Sequence, residues 1–541
     1  MCSTWPPVSW PRPVWCDLTA EPLTAPRPEA GQVRRPGGWG WWVAAGLALL
    51  PVLIPPVSLL FQVIGTGTTL AVPPGRLAEL MLNTAMLTVA VTVTAVVIGL
   101  ATAWTTTRVA LPFRKGWMTL AALPLVVPSY VAALSLIAAT GPSGVLIEIP
   151  TPYGFVGSLL VLSVFTAPLA HLTLIPGLRA IDPGTEEAAT GLGASRWRVF
   201  ATVTLPQLKP ALVSSGLLVG LYTISDFGAV SLLRYDTFTR AIYTLYRGQI
   251  DRRPSATLSL ILMALAIMIL LVERRYRAKV SLHSRRPRRA RPLLTLTGWR
   301  RAISISALAF YTLVALGLPL AVMAISVVRG LESEQIVGSF GAEAVRSLGV
   351  ALIAALVTVI LAFPVAMVTT RRPGRLSGWV ESAMWGAYSL PHITVGVAAV
   401  GFALTWARPF YQTLVYLVII YAAIFLPQAV GAAQDSLVRA SPDLEDASRG
   451  LGRGPMATLM RVTVPLAVPG LVAGAALVFL SVMKELPATL LLRPNEFETL
   501  AIRIWSSTAE GFITRASAAS LVLLAVSIVP LFLVMSRELS D

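Results

Sequence analysis

Glu186-Glu187-Ala188-Ala189-Thr190-Gly191-Leu192-Gly193 returns 259 residues later as Glu445-Asp446-Ala447-Ser448-Arg449-Gly450-Leu451-Gly452. The match runs on without a gap to Val203-Thr204-Leu205-Pro206 in the first copy and Val462-Thr463-Val464-Pro465 in the second. Each copy is polar, lies between long apolar runs, and has the same number of such runs before it in its own half. A self-match at fixed offset marks a duplication, and in a membrane chain it points to two repeats around a shared path. Locally, Glu186 to Ala189 make a good first helical turn with acid near its N-terminus. Gly191 and Gly193 are expected to break that helix, with Gly193 and Gly452 permitting a bend, and Pro206 to stop the next segment.

Working outward, the 541 residues are 55% hydrophobic and 13% charged. Apolar runs of spanning length make this an all-α polytopic membrane protein. Residues 1–39 are rich in Pro, Trp and Arg with no apolar period, and read as a disordered cytoplasmic tail with no cleavable signal. Six runs follow in a first membrane domain, 40–272, near 40–64, 84–104, 117–140, 153–177, 210–233 and 255–272. A basic linker, 273–302, holds eleven arginines and lysines. Six more runs in a second domain, 303–536, lie near 303–328, 346–369, 379–405, 410–433, 468–492 and 516–536. The sequence therefore predicts two tandem six-helix repeats, about twelve transmembrane helices.

The net charge of +17 is a topology signal rather than a nucleic-acid arm. With the N-terminus inside, thirty of the 43 Lys and Arg residues fall on the inner side, including those of both polar repeats, which predicts two cytoplasmic termini. The linker then lies against inner-leaflet lipid. Cys2 and Cys16 sit in the tail with no motif spacing, and His171, His283 and His392 are scattered, so neither a disulfide framework nor a metal cluster is expected.

The halves match elsewhere too. Leu125 to Tyr130 aligns with Tyr388 to Ile393, so Pro128 and Pro391 each interrupt a third span. A proline there frees carbonyls that only a bundle interior or a wet cavity can satisfy. Asp226 precedes Glu485 by the same 259 residues, placing one carboxylate in each fifth span near its outer end. Such groups, with Pro128 and Pro391, are candidates to line a translocation path, Asp226 and Glu485 as contacts for a metal ion, or they cap re-entrant turns before Gly228 and Pro487; Glu485 has Lys484 as a local ion-pair candidate.

The duplicated stretch resembles the EAA loop of ABC importer permeases. Glu187, Ala188, Ala189, Gly193, Val203, Leu205 and Pro206 fit that pattern at every spacing; in the second copy Ala447, Gly452 and Pro465 hold position while Asp446 replaces the glutamate. The stretches from Glu485 to Pro494, Phe497 to Ala501, Ser225 to Val230 and Tyr235 to Phe238 resemble the fused ferric-iron permeases, over about residues 40–536. The resemblance implies a bacterial inner-membrane transport subunit. Its partners would be two copies of a separate ABC ATPase docked on the EAA loops and an extracytoplasmic substrate-binding protein. No nucleic acid enters, no cofactor is bound by this chain, and ATP is used by the ATPase. There is no Gly-x-x-x-x-Gly-Lys-Ser/Thr phosphate loop, so the chain is not expected to be an enzyme. Fused permeases for thiamine and phosphonate compounds share the architecture. A secondary transporter would carry ionisable relays, whereas these spans are nearly charge-free apart from Asp226, Lys484 and Glu485; a membrane enzyme would need a clustered constellation of His or acid groups.

Overall fold

The two halves lay down the same ten helices in the same order. A computed structural model describes residues 39–64, 72–141, 144–280, 294–332 and 340–538. The tail up to residue 38, with Cys2 and Cys16, and linker residues 281–293, with His283, lie outside the described residues. The first half has α1 (Trp39–Ile64), α2 (Pro74–Arg108), α3 (Arg114–Ala122), α4 (Ser129–Ala139), α5 (Phe155–Arg179) and α6 (Pro183–Gly191). It continues with α7 (Arg196–Ser225), α8 (Gly228–Leu232), α9 (Phe238–Gly248) and α10 (Arg253–Val280). The second half repeats them as α11 (Gly298–Glu332), α12 (Gly341–Arg371), α13 (Arg375–Tyr388), α14 (His392–Trp406) and α15 (Leu414–Arg439). There follow α16 (Pro442–Gly450), α17 (Pro455–Met483), α18 (Pro487–Leu492), α19 (Leu500–Ala509) and α20 (Ile513–Glu538).

Among the described residues, nine helices are long and apolar enough to cross a membrane, eleven with the two bent pairs; α20 adds a shorter apolar stretch, Ile513–Ser527. The bends fall at the two prolines: α3 with its 3-10 extension meets α4 at 89°, and α13 meets α14 at 102°. Pro128 and Pro391 are the residues immediately before α4 and α14.

Pro206 does not end its segment. A π-turn, Phe200–Thr204, precedes it inside α7, and Leu459–Thr463 does the same before Pro465 in α17. The wider turn lets the proline enter at the first positions of the following helical stretch, where its missing N–H costs nothing, and the helix runs on into the membrane.

α2, α5 and α7 pack together in the first half, and α12, α15 and α17 in the second. The first helix of each half crosses to the other. In α1, Ser58 Oγ donates to Ala398 O at 3.0 Å and Trp41 packs edge-on to Phe363; in α11, Tyr311 Oη donates to Val164 O at 3.2 Å. α11 also fixes a common direction for the halves. Just before it, Leu294 bridges Val109 at the end of α2, and near its far end Arg329 donates to Val145 O in the loop after α4. Both polar repeats therefore lie at one end of the bundle, here called inner.

Candidate functional site

At the inner end α6 and α16 are short helices built by their own sequence. Pro183 and Pro442 open them, Asp182 Oδ1 accepts from Gly184 N at 3.0 Å, and Ser441 Oγ accepts from Asp443 N at 3.2 Å. Each ends in a glycine, and two residues later Gly193 (φ 85°) and Gly452 (φ 80°) turn the chain through the left-handed region, as the sequence predicts. The helices start earlier than the acidic pairs suggest, because the caps precede them.

Adjacent acids in α6 have opposite fates. Glu187 is exposed, as are Ala188 and Asp446, Ala447 in α16; Ala189 is half-buried. Glu186 and Glu445 are buried. Glu186 Oε2 lies 3.5 Å from Arg108 Nη1 and its Oε1 accepts from Thr204 Oγ1 at 2.6 Å. Glu445 Oε1 accepts from Arg371 Nε at 3.1 Å, and Arg371 Nη2 donates to Ala440 O at 2.9 Å. Arg108 and Arg371 are the last residues of α2 and α12. The turns that follow present apolar tips to solvent: Leu192 is 90% exposed, Leu451 81% and Trp197 75%. Sequence reasoning passed over both buried ion pairs. The available signal was that Glu186 and Glu445 are identical in the two copies whereas Glu187 is matched by Asp446.

The two carboxylates of the fifth spans are buried caps. Asp226 Oδ1 accepts from Ala229 N at 3.0 Å and so starts α8, with Ser129 close by. Glu485 Oε1 accepts from Ala488 N at 3.0 Å and starts α18. Its Oε2 lies 2.6 Å from His392 Nδ1, at the position that Ser129 holds in the first half. Glu485 thus pairs with His392 and not with Lys484. Lys484 Nζ instead crosses between the halves and donates to Leu125 O at 3.2 Å, a carbonyl at the break before Pro128. Buried Pro128 and Pro391 stand beside these carboxylates, so the four path candidates of the sequence belong to two equivalent neighbourhoods. No group of three or more His, Cys, Asp or Glu suited to a metal occurs among the described residues.

Outward of this level, Phe227 meets Trp505 of the other half with ring centroids 5.0 Å apart, and Tyr243 stands edge-on to both. Above them opens a recess of about 310 Å³ between the halves, lined by Tyr243, Arg247, Leu490, Arg493, Trp505 and Glu510. The arrangement is a bundle with two inner knobs, an aromatic cluster across the halves and an outer recess.

Comparison with known proteins gives one family twice. The domain described as binding-protein-dependent transport system inner membrane component matches residues 95–274 and again 359–537. The Fe(3+)-transport system permease protein FbpB 2 of Haemophilus influenzae is 32% identical over 492 residues, 90% of this chain and 95% of that protein. The ferric transport system permease protein FbpB of Actinobacillus pleuropneumoniae is 28% identical over 41% of this chain and 35% of its own. The sulfate transport system permease protein CysW of Escherichia coli is 31% identical over 37% of this chain and 73% of its own. With two matched domains on two copies of one ten-helix unit, the chain belongs to the binding-protein-dependent transport system inner membrane component family, as a fused permease.

Proposed function

We propose that this chain is the transmembrane permease of an ATP-driven importer of ferric iron, carrying the ion between its halves and docking one ATPase subunit on each of α6 and α16. The observation that carries the reading is the pair of exposed helices at the inner end, each followed by a glycine turn and apolar tips, and each tied by a buried ion pair to a long membrane helix. Exposed apolar tips on a rim of polar groups suit a protein interface. Glu187, Ala188, Ala189 and Gly193 with Asp446, Ala447 and Gly452 form the docking knobs. Pro206 and Pro465 set where each knob passes into a span. ATP belongs to the partner, and an extracytoplasmic binding protein delivers cargo to the outer recess. Both termini are cytoplasmic in this reading.

Ferric iron is favoured over other cargo because the similarity to one ferric permease takes in both halves of this chain and 95% of that protein's length, against 73% of the sulfate permease's. Asp226 and Glu485 have a capping part first; contact with the passing ion is a second part, suited to a hard cation that prefers oxygen ligands. The test is uptake of radiolabelled ferric iron, thiamine and aminophosphonate by the complex in proteoliposomes. Iron uptake that needs ATP, the ATPase and the binding protein is the expected result. Uptake driven by an ion gradient without ATPase would mean a secondary transporter. Wild-type iron transport by the Asp226→Asn, Glu485→Gln double variant would confine the two carboxylates to capping.

A further inference from the structure

α2 and α12 are fastened at both ends, to the same two partners in each half. At the inner end, α2 meets α6 through Arg108 and Glu186, and α12 meets α16 through Arg371 and Glu445. Each arginine is at a helix C-terminus and each glutamate in a first helical turn, so both charges also sit favourably against the helix dipoles. At the outer end, the N–H of Phe238, which opens α9, donates to Thr84 Oγ1 at 3.2 Å; the N–H of Leu500, which opens α19, donates to Ser347 Oγ at 2.8 Å. Ion pairs reinforce both joints: Arg76 with Asp236 at 2.6 Å, and Glu343 with Arg503 at 3.3 Å. α9 and α19 carry Tyr243 and Trp505, whose rings meet edge-on between the halves.

Between these joints α2 carries no proline to kink it, whereas α12 carries Pro364. α2 has 35 residues, a rise of roughly 50 Å at the helical repeat, and no internal proline, whereas α5 holds Pro168 and Pro176. α12 has 31 residues with Pro364 two turns before Arg371. A buried pair that loses one member leaves an uncompensated charge, so the inner joint resists parting.

We infer that α2 and α12 are transmission rods, with Arg108, Glu186, Arg371 and Glu445 as positioning residues that pass movement of the ATPase-docked helices to the outer helices α9 and α19. The inference rests on the docking reading above. A purely structural joint would alter the amount and melting of the complex; a transmission joint alters coupling in complexes that remain assembled. The experiment uses the full complex in nanodiscs with ferric-loaded binding protein. It measures co-purification of the ATPase, basal ATP hydrolysis and its stimulation by the binding protein. Arg371→Gln and, at the outer joint, Ser347→Ala should each keep co-purification and basal hydrolysis while stimulation falls about tenfold, the size of an ordinary coupling factor. The exchange Arg371→Glu with Glu445→Arg should recover stimulation above either single exchange. Unchanged stimulation in Arg371→Gln, or an assembled exchange variant no better than its singles, would overturn the rods. Glu187→Lys separates the two ideas: if it leaves ATPase co-purification intact, the docking reading fails, whatever the joint variants do.

Discussion

Glu186 and Glu187 differ by one position, about 100° around a helix, and that angle divides their work. The first is buried against Arg108 and the second faces out. A pattern that matches Glu187 finds the exposed face and misses the tether, because burial depends on Arg108, a residue far off in sequence. The glycine at the end of the knob was legible, since a left-handed turn needs glycine whatever surrounds it. At Gly193 an added Cβ would meet nothing within 4 Å, so the cost of a side chain is conformational alone, about 1–2 kcal/mol and more for a branched one. Gly193→Val should therefore insert normally yet misplace the knob. The expected outcome is a membrane-inserted permease whose ATPase no longer responds to cargo, read by ATP hydrolysis with and without loaded binding protein; normal coupling would make the turn a plain connector. His392 gives a second prediction. It donates to a buried carboxylate whose other oxygen is already engaged, so His392→Leu strands Glu485 Oε2 at a cost of about 1–3 kcal/mol. His392→Asn keeps a donor near the same place and should melt close to the wild type in detergent. Equal melting of the two variants would show that the pair contributes nothing to stability.

Element behaviour was partly legible. Hydropathy located the runs, and Pro128 and Pro391 marked the breaks, because a missing N–H in a span has only a few solutions. The size of each bend, near a right angle, was not legible, and neither was the contact between halves by which Lys484 donates to the Leu125 carbonyl at the first of them. Pro206 misled for the opposite reason. A stop and a π-turn both accommodate a proline, and α7 takes the second. The knob helices pose a clear test. Nine residues are too few for an isolated helix, so α6 depends on its cap and its tether. Asp182→Ala removes the cap oxygen from Gly184 N and should weaken α6 by about 1 kcal/mol. Amide exchange in α6 should then quicken about fivefold while α5 and α7 stay protected. Unchanged exchange in α6 would mean that the Arg108 pair alone holds the helix.

At the scale of the molecule, the 259-residue repeat foretold two equivalent halves, but it could not foretell that α1 and α11 change places between them. That exchange makes each half incomplete without the other and sets both knobs at one end. We propose from charge which end this is: with the N-terminus inside, thirty of the 43 Lys and Arg residues of the sequence are assigned to the inner side, and basic loops tend to be retained in the cytoplasm. The opposite end carries Ile250, fully exposed between α9 and α10, while Leu192 and Leu451 project from the knobs. In a background with Cys2 and Cys16 replaced by serine, one cysteine at Ile250 should react in intact cells with a membrane-impermeant thiol reagent. Cysteines at Leu192 or Leu451 should react only after the membrane is opened. Labelling of both knobs from outside would invert the whole topology and remove the ATPase from reach. Labelling of one knob alone would break the equivalence of the halves, which the Val109 and Leu294 bridge and the Arg329 contact at the two ends of α11 require.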